Sequence, residues 1–243
     1  MSEQIRELLL RWIERQSAPA AFQWLGERLD EARRAPGGAF DLAYARVPRQ
    51  LGRASLTLTP QDIEAAQAAR PGWTPGGWSV DGAARVLLLL HLPRVSQGQT
   101  FAERFRRLRQ SADPAEQIAL FRGLPLYAAP AELENEAAEG LRSNIMAVFA
   151  AIAHDNPYPR ENFDEHRWNH MVLKALFIGC PLAPIQGLDE RANPRLASIL
   201  RDFARERHAA GRAIPAELWR CLAPYATEVD AVSDLERAME FRR

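Results

Sequence analysis

Residues 154–194 decide the fold, and they comprise HDNPYP at 154–159, FDEHRWNHMVLKALFI at 163–178 and GLDERANP at 187–194. The middle segment predicts a helix, since apolar residues cover one broad side of it: Trp168, Met171, Val172, Ala175, Leu176 and Ile178. Leu173 and Phe177 extend that side until nearly the whole circumference is apolar. Such a helix belongs in the middle of a helical stack rather than on its surface.

Polar residues on this helix carry the first functional hypotheses. Asn169 falls within the apolar arc, so burial requires specific partners for its amide. The amide is therefore either a structural clamp on a neighbouring loop or a ligand contact. Arg167, His170 and Lys174 lie three or four residues apart, which predicts one cationic cluster on the narrow polar strip.

Two polar turns flank the helix. Proline disfavours helical geometry at the residue before it, so the turn at 154–159 leaves the preceding helix and presents Asn156 and Tyr158. The downstream turn at 187–194 presents Asp189, Arg191 and Asn193. If the flanking helices are antiparallel neighbours, the turns lie at opposite ends of the central helix and need not form one pocket.

Prolines that precede an acid by two residues predict further helix starts. These pairs are Pro60/Asp62, Pro114/Glu116, Pro130/Glu132, Pro159/Glu161 and Pro215/Glu217. Apolar residues with helical period also place Leu141, Ile145 and Ile152 on one helix, and no segment is a convincing strand. Asn193 and Pro194 open another helix that Gly211 can close.

We therefore expect an all-α protein of antiparallel helix pairs stacked as an irregular HEAT-like α-solenoid, with a compact helical bundle as the alternative. Residues 1–243 are expected to form a single all-helical domain with an internal break at 71–78 (PGWTPGGW). That loop is either a lid or a connection anchored by Trp73 and Trp78, and anchoring is favoured.

Composition excludes several classes of function. The chain has 31 basic and 31 acidic residues, which predicts no nucleic-acid partner, and its apolar runs are too short to span a bilayer. Cys180 and Cys221 have no paired spacing and are expected to be ordinary buried thiols in a reducing compartment. The amino-terminal residues lack the pattern of a secretory signal, so we expect a cytoplasmic protein.

No catalytic motif is apparent. His166 and His170 could chelate a metal from one helix face, with His154, Asp155 or Asp164 as further ligands. However, Arg167 stands where a metalloprotease helix has its glutamate base, so no metal site is predicted. The sequence has no nucleophile elbow and no glycine-rich phosphate loop, and no cofactor is expected.

Longer motifs extend over residues 120–225. They are Asn144 within LRSNI, the DNPYP turn at 155–159, Trp168-Asn169 followed by MVLKALF, and GLDERANP at 187–194, continuing through Glu206-Arg207, AGR at 210–212 and LWR at 218–220. This pattern resembles the EboA-domain proteins. His170 stands where that family often has glutamine, which weakens the metal hypothesis, and His208 replaces a tryptophan.

The resemblance implies an all-helical protein encoded in bacterial clusters beside a UbiA-type membrane prenyltransferase, metal-dependent hydrolases and a dehydroquinate-synthase-like enzyme. These clusters make a secondary metabolite or move its precursor across the inner membrane. The resemblance implies no catalytic residues.

The leading hypothesis is a non-enzymatic cytoplasmic accessory protein. It binds a pathway intermediate or docks onto cluster enzymes, including the prenyltransferase. The candidate ligand-binding residues are Asn144, Asn156, Tyr158, Asn169, Lys174, Asp189, Arg191 and Asn193. The alternative is an enzyme acting on a small aromatic or isoprenoid intermediate, with His154, Tyr158 or Lys174 as acid or base.

Overall fold

The computed structural model describes residues 2–34, 37–96 and 98–225, and this part of the chain is all-α, as predicted. Its helices are α1 (Ser2–Glu14), α2 (Pro19–Arg34), α3 (Gly38–Leu51), α4 (Pro60–Ala69), α5 (Val80–Leu90), α6 (Phe101–Ser111), α7 (Pro114–Arg122), α8 (Glu134–Leu141), α9 (Met146–Ala153), α10 (Tyr158–Asn162), α11 (Glu165–Ile178), α12 (Pro194–Ala209) and α13 (Leu218–Leu222). Three short 3₁₀ turns occupy Leu124–Leu126, Pro130–Leu133 and Ala223–Tyr225. None of the helices in the described ranges is long and apolar enough to cross a membrane.

The structure corrects the expectation that the chain has no strand. Two very short strands, β1 (Val95–Ser96) and β2 (Gln99–Thr100), pair antiparallel directly before α6. A two-residue strand has too little periodicity to be recognised from sequence.

The chain divides into two compact units, unit 1 (Met1–Tyr158) and unit 2 (Pro159–Arg243). In unit 1, α5 is almost entirely buried and packs against α1, α2, α3 and α7, while α7 also packs against α9. In unit 2, α12 packs against α11 and α13.

Two of the proline-led helix starts have complete side-chain caps. Thr59 before Pro60 and Asp113 before Pro114 each form a reciprocal capping box with the acid three residues later. Asp62 in the first box is also held by the Trp12 indole N–H at 2.8 Å and by Arg15 at 2.7 Å. The acid therefore joins α4 to α1 as well as capping α4.

Two of the helix predictions are wrong. The helix expected at Pro215 begins at Leu218, because the carboxylate of Glu217 accepts hydrogen bonds from the backbone N–H groups of Leu182 and Ala183 instead of capping a first turn. The single helix expected over residues 141–152 is broken, since α8 ends at Leu141 and α9 begins at Met146. The hydroxyl of Ser143 accepts the N–H of Ile145, a local bond that competes with helix continuation.

The loop at 71–78 is anchored by its tryptophans, as expected. Trp73 and Trp78 are both buried, with their ring centroids 6.1 Å apart. The ring of Trp12 from α1 lies 5.5 Å from that of Trp73. This aromatic cluster fixes a glycine-rich segment against the core of unit 1.

Helix α11 is less enclosed than its composition suggests. Trp168, Met171 and Leu176 are buried, but Leu173 is only half-buried and Phe177 is 70% exposed. The expectation that this helix lies in the middle of a helical stack rather than on its surface is therefore wrong for the side that carries Phe177. Asp164 caps the start of the helix and Gly179 its end, and within unit 2 the helix packs against α12.

Candidate functional site

Three of the predicted ligand-binding residues lie in unit 1. Asn144 is exposed on the turn between α8 and α9. Asn156 is buried, and its amide donates to the carbonyl oxygens of Phe121 at 3.1 Å and Ala151 at 3.0 Å, while its oxygen accepts the N–H of Tyr158. The hydroxyl of Tyr158, also fully buried, donates to the carbonyl of Pro130 at 2.8 Å. The last two residues thus hold the turn at 154–159 in place.

In unit 2, Asn169 is a structural clamp, one of its two predicted roles. Its amide group and that of Asn193 bond reciprocally, at 3.2 and 2.9 Å. Asn193 also caps α12 by accepting the N–H of Leu196 at 2.8 Å. The pair joins the middle of α11 to the start of α12, so it satisfies the buried amide that the apolar helix requires.

The other residues of the downstream turn also have internal partners. Arg191 donates to the carbonyl oxygens of Pro159, Arg160 and Phe163, and its guanidinium lies 4.7 Å from the ring centroid of Trp168. Asp189 forms a bidentate pair with Arg220 at 2.6 and 2.7 Å.

Lys174 is half-buried on α11, and desolvation lowers the pKa of its ammonium group. The imidazole rings of His166 and His170 lie 4.3 Å apart on the same helix. Within the described ranges, no group of three or more His, Cys, Asp or Glu side chains is arranged to hold a metal ion.

Unit 1 contains two adjoining cavities that the sequence did not predict. The Asp81 cavity has a volume of about 260 Å³ and is lined by residues that include Arg53, Ser55, Ser79 and Asp81. The His154 cavity has a volume of about 270 Å³ and includes Trp73, Thr74, His154, Asp155 and Asn156 in its lining. Trp78, Ile118 and Arg122 line both, so the two cavities adjoin, and we call this pair the double cavity.

Two packed helices supply one wall of the double cavity. Helix α7 contributes Ala115, Ile118, Ala119 and Arg122, which have the spacing of a single helix face. Helix α9 and its C-cap contribute Ala147, Ala150, Ala151 and His154 with the same spacing. Each face is made of small or aliphatic residues and ends in a cationic or titratable side chain.

Further lining residues come from the loop at 71–78 and the start of α5. Ser55 and Ser79 pair antiparallel as an isolated bridge, with Leu56 N–H donating to Trp78 and Val80 N–H to Ala54. This pairing holds the residues before α5 against the loop. Ser79 then caps α5 by accepting the N–H of Gly82 at 3.2 Å, which places Asp81 in the first turn of the helix.

Each cavity is lined by a residue with a buried polar atom that has no hydrogen-bond partner among the described residues. In the Asp81 cavity this atom is Oδ1 of Asp81, whose other oxygen accepts from Arg85 at 2.6 Å. In the His154 cavity it is the indole Nε1 of Trp73. A buried polar group without a partner costs about 1–3 kcal/mol, but neither atom has appreciable accessible surface, so neither is reached from the cavity space.

Arg122 supplies the positive charge shared by the two cavities. Its guanidinium donates to the carbonyl of Gly77 at 3.0 Å, a neutral partner. Desolvation lowers the pKa of Arg122, and the charge of Asp155 opposes this effect. An anion bound beside this guanidinium would compensate the half-buried charge.

Comparison with known families decides the classification. The model of a family described as "Metabolite traffic protein EboA" matches residues 5–223 of the 243-residue chain. The chain belongs to the EboA family. The comparisons with curated proteins and with solved structures gave no match.

The EboA match extends well beyond residues 120–225, which carry the resemblance in the sequence. It begins at residue 5 and therefore includes the segments that supply Arg53, Asp81 and both cavity tryptophans. The signals for this site were present in the EboA chain as Asp81 and Arg85, four residues apart in an apolar helix, and as two alanine-rich faces of equal spacing. Sequence alone did not show that those faces meet.

Proposed function

We propose that this EboA-family protein is a non-enzymatic cytoplasmic accessory protein that binds a small-molecule intermediate of a bacterial secondary-metabolite or precursor-export pathway. The ligand occupies the double cavity of unit 1. The observation that carries the proposal is the double cavity itself, in which the half-buried guanidinium of Arg122 and the side chain of Ile118 line both parts. The family description, a metabolite traffic protein, supports the same function.

The dimensions and composition of the double cavity suit a metabolite. Metabolite pockets typically occupy about 300–1,000 Å³ and combine apolar walls with a few placed polar groups. Each cavity alone is close to the lower limit, and the two share a wall. Among the residues predicted from sequence, we propose that Asn156 contacts the ligand, since it lines the His154 cavity.

The test is mass spectrometry of the protein purified from its own host while the pathway is active. Native and denaturing spectra are compared for the wild type and for two variants. Ala150→Phe adds a phenyl group to a half-buried position in the His154 cavity. Ala21→Phe is the matched control, because Ala21 is half-buried on α2 and lines neither cavity.

We expect a stoichiometric small-molecule mass in the wild type and in Ala21→Phe, and its loss in Ala150→Phe. Wild-type protein without a bound molecule would contradict the proposal and favour docking onto cluster enzymes such as the membrane prenyltransferase. Retention of the mass in Ala150→Phe would place the ligand elsewhere. A bound metal would contradict the proposal and favour an enzyme that uses His166 and His170.

A second candidate function is catalysis at the His154 cavity. It is favoured by the position of His154, whose imidazole is a common acid or base, beside Asp155 in the cavity lining. Catalysis predicts that His154→Gln abolishes product formation and leaves the melting temperature nearly unchanged. The accessory function predicts instead that the captured molecule stays chemically unchanged during incubation with wild-type protein.

A further inference from the structure

We infer that the ligand of the double cavity is an amphipathic anion, an inference that rests on the proposed function. Its carboxylate or phosphate group lies against the guanidinium groups of Arg53 and Arg122, and its apolar ring or chain lies along α7. The hydrogen-bond donors, the charges and the walls of the double cavity each lead to one part of this description.

Unused hydrogen-bond donors line the double cavity. A guanidinium carries five N–H donors and no acceptor. Among the described residues, Arg122 donates only to the carbonyl oxygen of Gly77, at 3.0 Å, and Arg53 makes no hydrogen bond or ion pair. Arg53 is exposed and Arg122 is half-buried, so both side chains can be reached by a ligand. A carboxylate or phosphate group can accept two parallel hydrogen bonds from such a guanidinium.

The buried carboxylates near this surface do not neutralise it. Asp81 is 4% exposed and pairs with Arg85 at 2.6 Å, and Arg85 also lies 3.7 Å from Glu116. One guanidinium is therefore shared by two carboxylates in the interior. The charge that acts on the pKa of Arg122 is that of Asp155, rather than that of either buried carboxylate.

Asp155 does not neutralise both arginines either. Its carboxylate is exposed and lines only the His154 cavity, and within the described residues it forms no ion pair with Arg122. Arg53 lines only the Asp81 cavity. The accessible charges at the Asp81 end are therefore cationic, and an anion bound there would gain charge-assisted hydrogen bonds.

The walls of the double cavity suit an apolar body next to the anionic group. Ile118 and Trp78 line both cavities, and Ala115 and Ala119 continue the surface along α7. Because Arg122 follows Ile118 by four residues, the guanidinium and the apolar surface share one face of this helix. A ring or short chain on that face would add affinity that an inorganic anion cannot obtain.

Four compounds test these features by isothermal titration calorimetry with the full-length protein. Two are organic anions, 3-phenylpropionate and 2-phenylethyl phosphate. The third is 3-phenyl-1-propanol, which has the same ring and chain as the first but no charge. The fourth is inorganic phosphate, which has the charge but no apolar body. All four are titrated at millimolar concentration.

We expect 3-phenylpropionate to bind about 10-fold or more tightly than 3-phenyl-1-propanol, as hydrogen bonds between charged groups predict. The organic phosphate should exceed inorganic phosphate by a similar factor of about 10, because its ring and chain become buried. Binding of either organic anion in this way supports the inference, and the tighter of the two identifies the acidic group as a carboxylate or a phosphate.

Variants of the two arginines locate the anionic group. In Arg122→Gln, whose amide keeps a donor for the carbonyl of Gly77 but has no charge, the preference for the acid over the alcohol should fall to about 2-fold or less. Arg53→Gln should weaken both organic anions by about 2- to 5-fold and leave the alcohol unaffected, since Arg53 is exposed. Arg49→Gln is the matched control, because Arg49 is exposed on α3 and lines neither cavity.

Equal or tighter binding of the alcohol, a preference for the acid that survives in Arg122→Gln, or no binding of either organic anion would overturn the inference. If Arg122→Gln does not fold, as judged by circular dichroism, the wild-type comparison and Arg53→Gln still decide the outcome. The proposed function fails separately. A host-derived ligand without an acidic group would leave the proposed function intact and overturn this inference.

Discussion

Replacing Asn156 by alanine should lower the free energy of unfolding by about 3 kcal/mol. The side chain is 3% exposed and makes three hydrogen bonds to backbone groups, two to carbonyl oxygens and one to the N–H of Tyr158. Alanine removes all three and provides no substitute.

The magnitude is dominated by the N–H of Tyr158. This residue is fully buried, so leaving its amide unpaired costs about 1–3 kcal/mol. Each of the other two bonds contributes about 0.5–1.5 kcal/mol net.

Urea denaturation followed by tryptophan fluorescence and by circular dichroism measures the change. Asn144→Ala is the matched control, because Asn144 is exposed and has no hydrogen bond among the described residues. We expect the control to remain within about 0.5 kcal/mol of wild type. If Asn156→Ala is equally close to wild type, the amide does not hold the turn and the structural role assigned to it is refuted.

Three further predictions concern packing, pH and thiol chemistry. Gly140→Ala should destabilise the protein by about 1–3 kcal/mol, because the new methyl group would clash with the buried ring of Phe121 on α7 and a methyl group of Ile152 on α9. Gly26→Ala has nothing within 4 Å and should stabilise the protein by about 0.5–1 kcal/mol. Urea titration checks both changes. Burial acts to raise the pKa of Asp62, but hydrogen bonds from neighbouring groups outweigh it and hold the pKa well below its usual range. The stability advantage of wild type over Asp62→Asn should therefore be complete above about pH 5 and shrink as the pH falls below about 4. An advantage that persists at low pH would contradict this sign. Burial raises the pKa of Cys221 to about 11 and that of Cys180 above its usual value. Neither thiol should therefore react with Ellman's reagent at pH 8 until urea unfolds the chain. Rapid labelling of the native protein would show instead that the thiols are accessible.

Local chemistry made part of this structure predictable. Proline with a preceding cap and a following acid located the starts of α4 and α7, since those signals depend only on neighbouring residues. An asparagine within an apolar helix face also had to find a partner, and Asn169 finds Asn193. In each case the physical requirement lies within a short segment or at a single buried group.

The double cavity was beyond such reasoning. Its wall residues come from four separate parts of the chain, at 53–55, 73–86, 115–125 and 147–156. Helical spacing shows that Ala150 and His154 share a face, but not which other face packs opposite them. Likewise, the sequence pairs Asp81 with Arg85 through their four-residue spacing and cannot show that one carboxylate oxygen lacks a partner.

A crystal structure of the protein purified from its host with the pathway active tests the central claim most directly. The account predicts non-protein electron density in the double cavity, in contact with Arg122 and Ile118, which line both of its parts. A double cavity that contains only solvent, in protein that carries a stoichiometric small molecule, would contradict it.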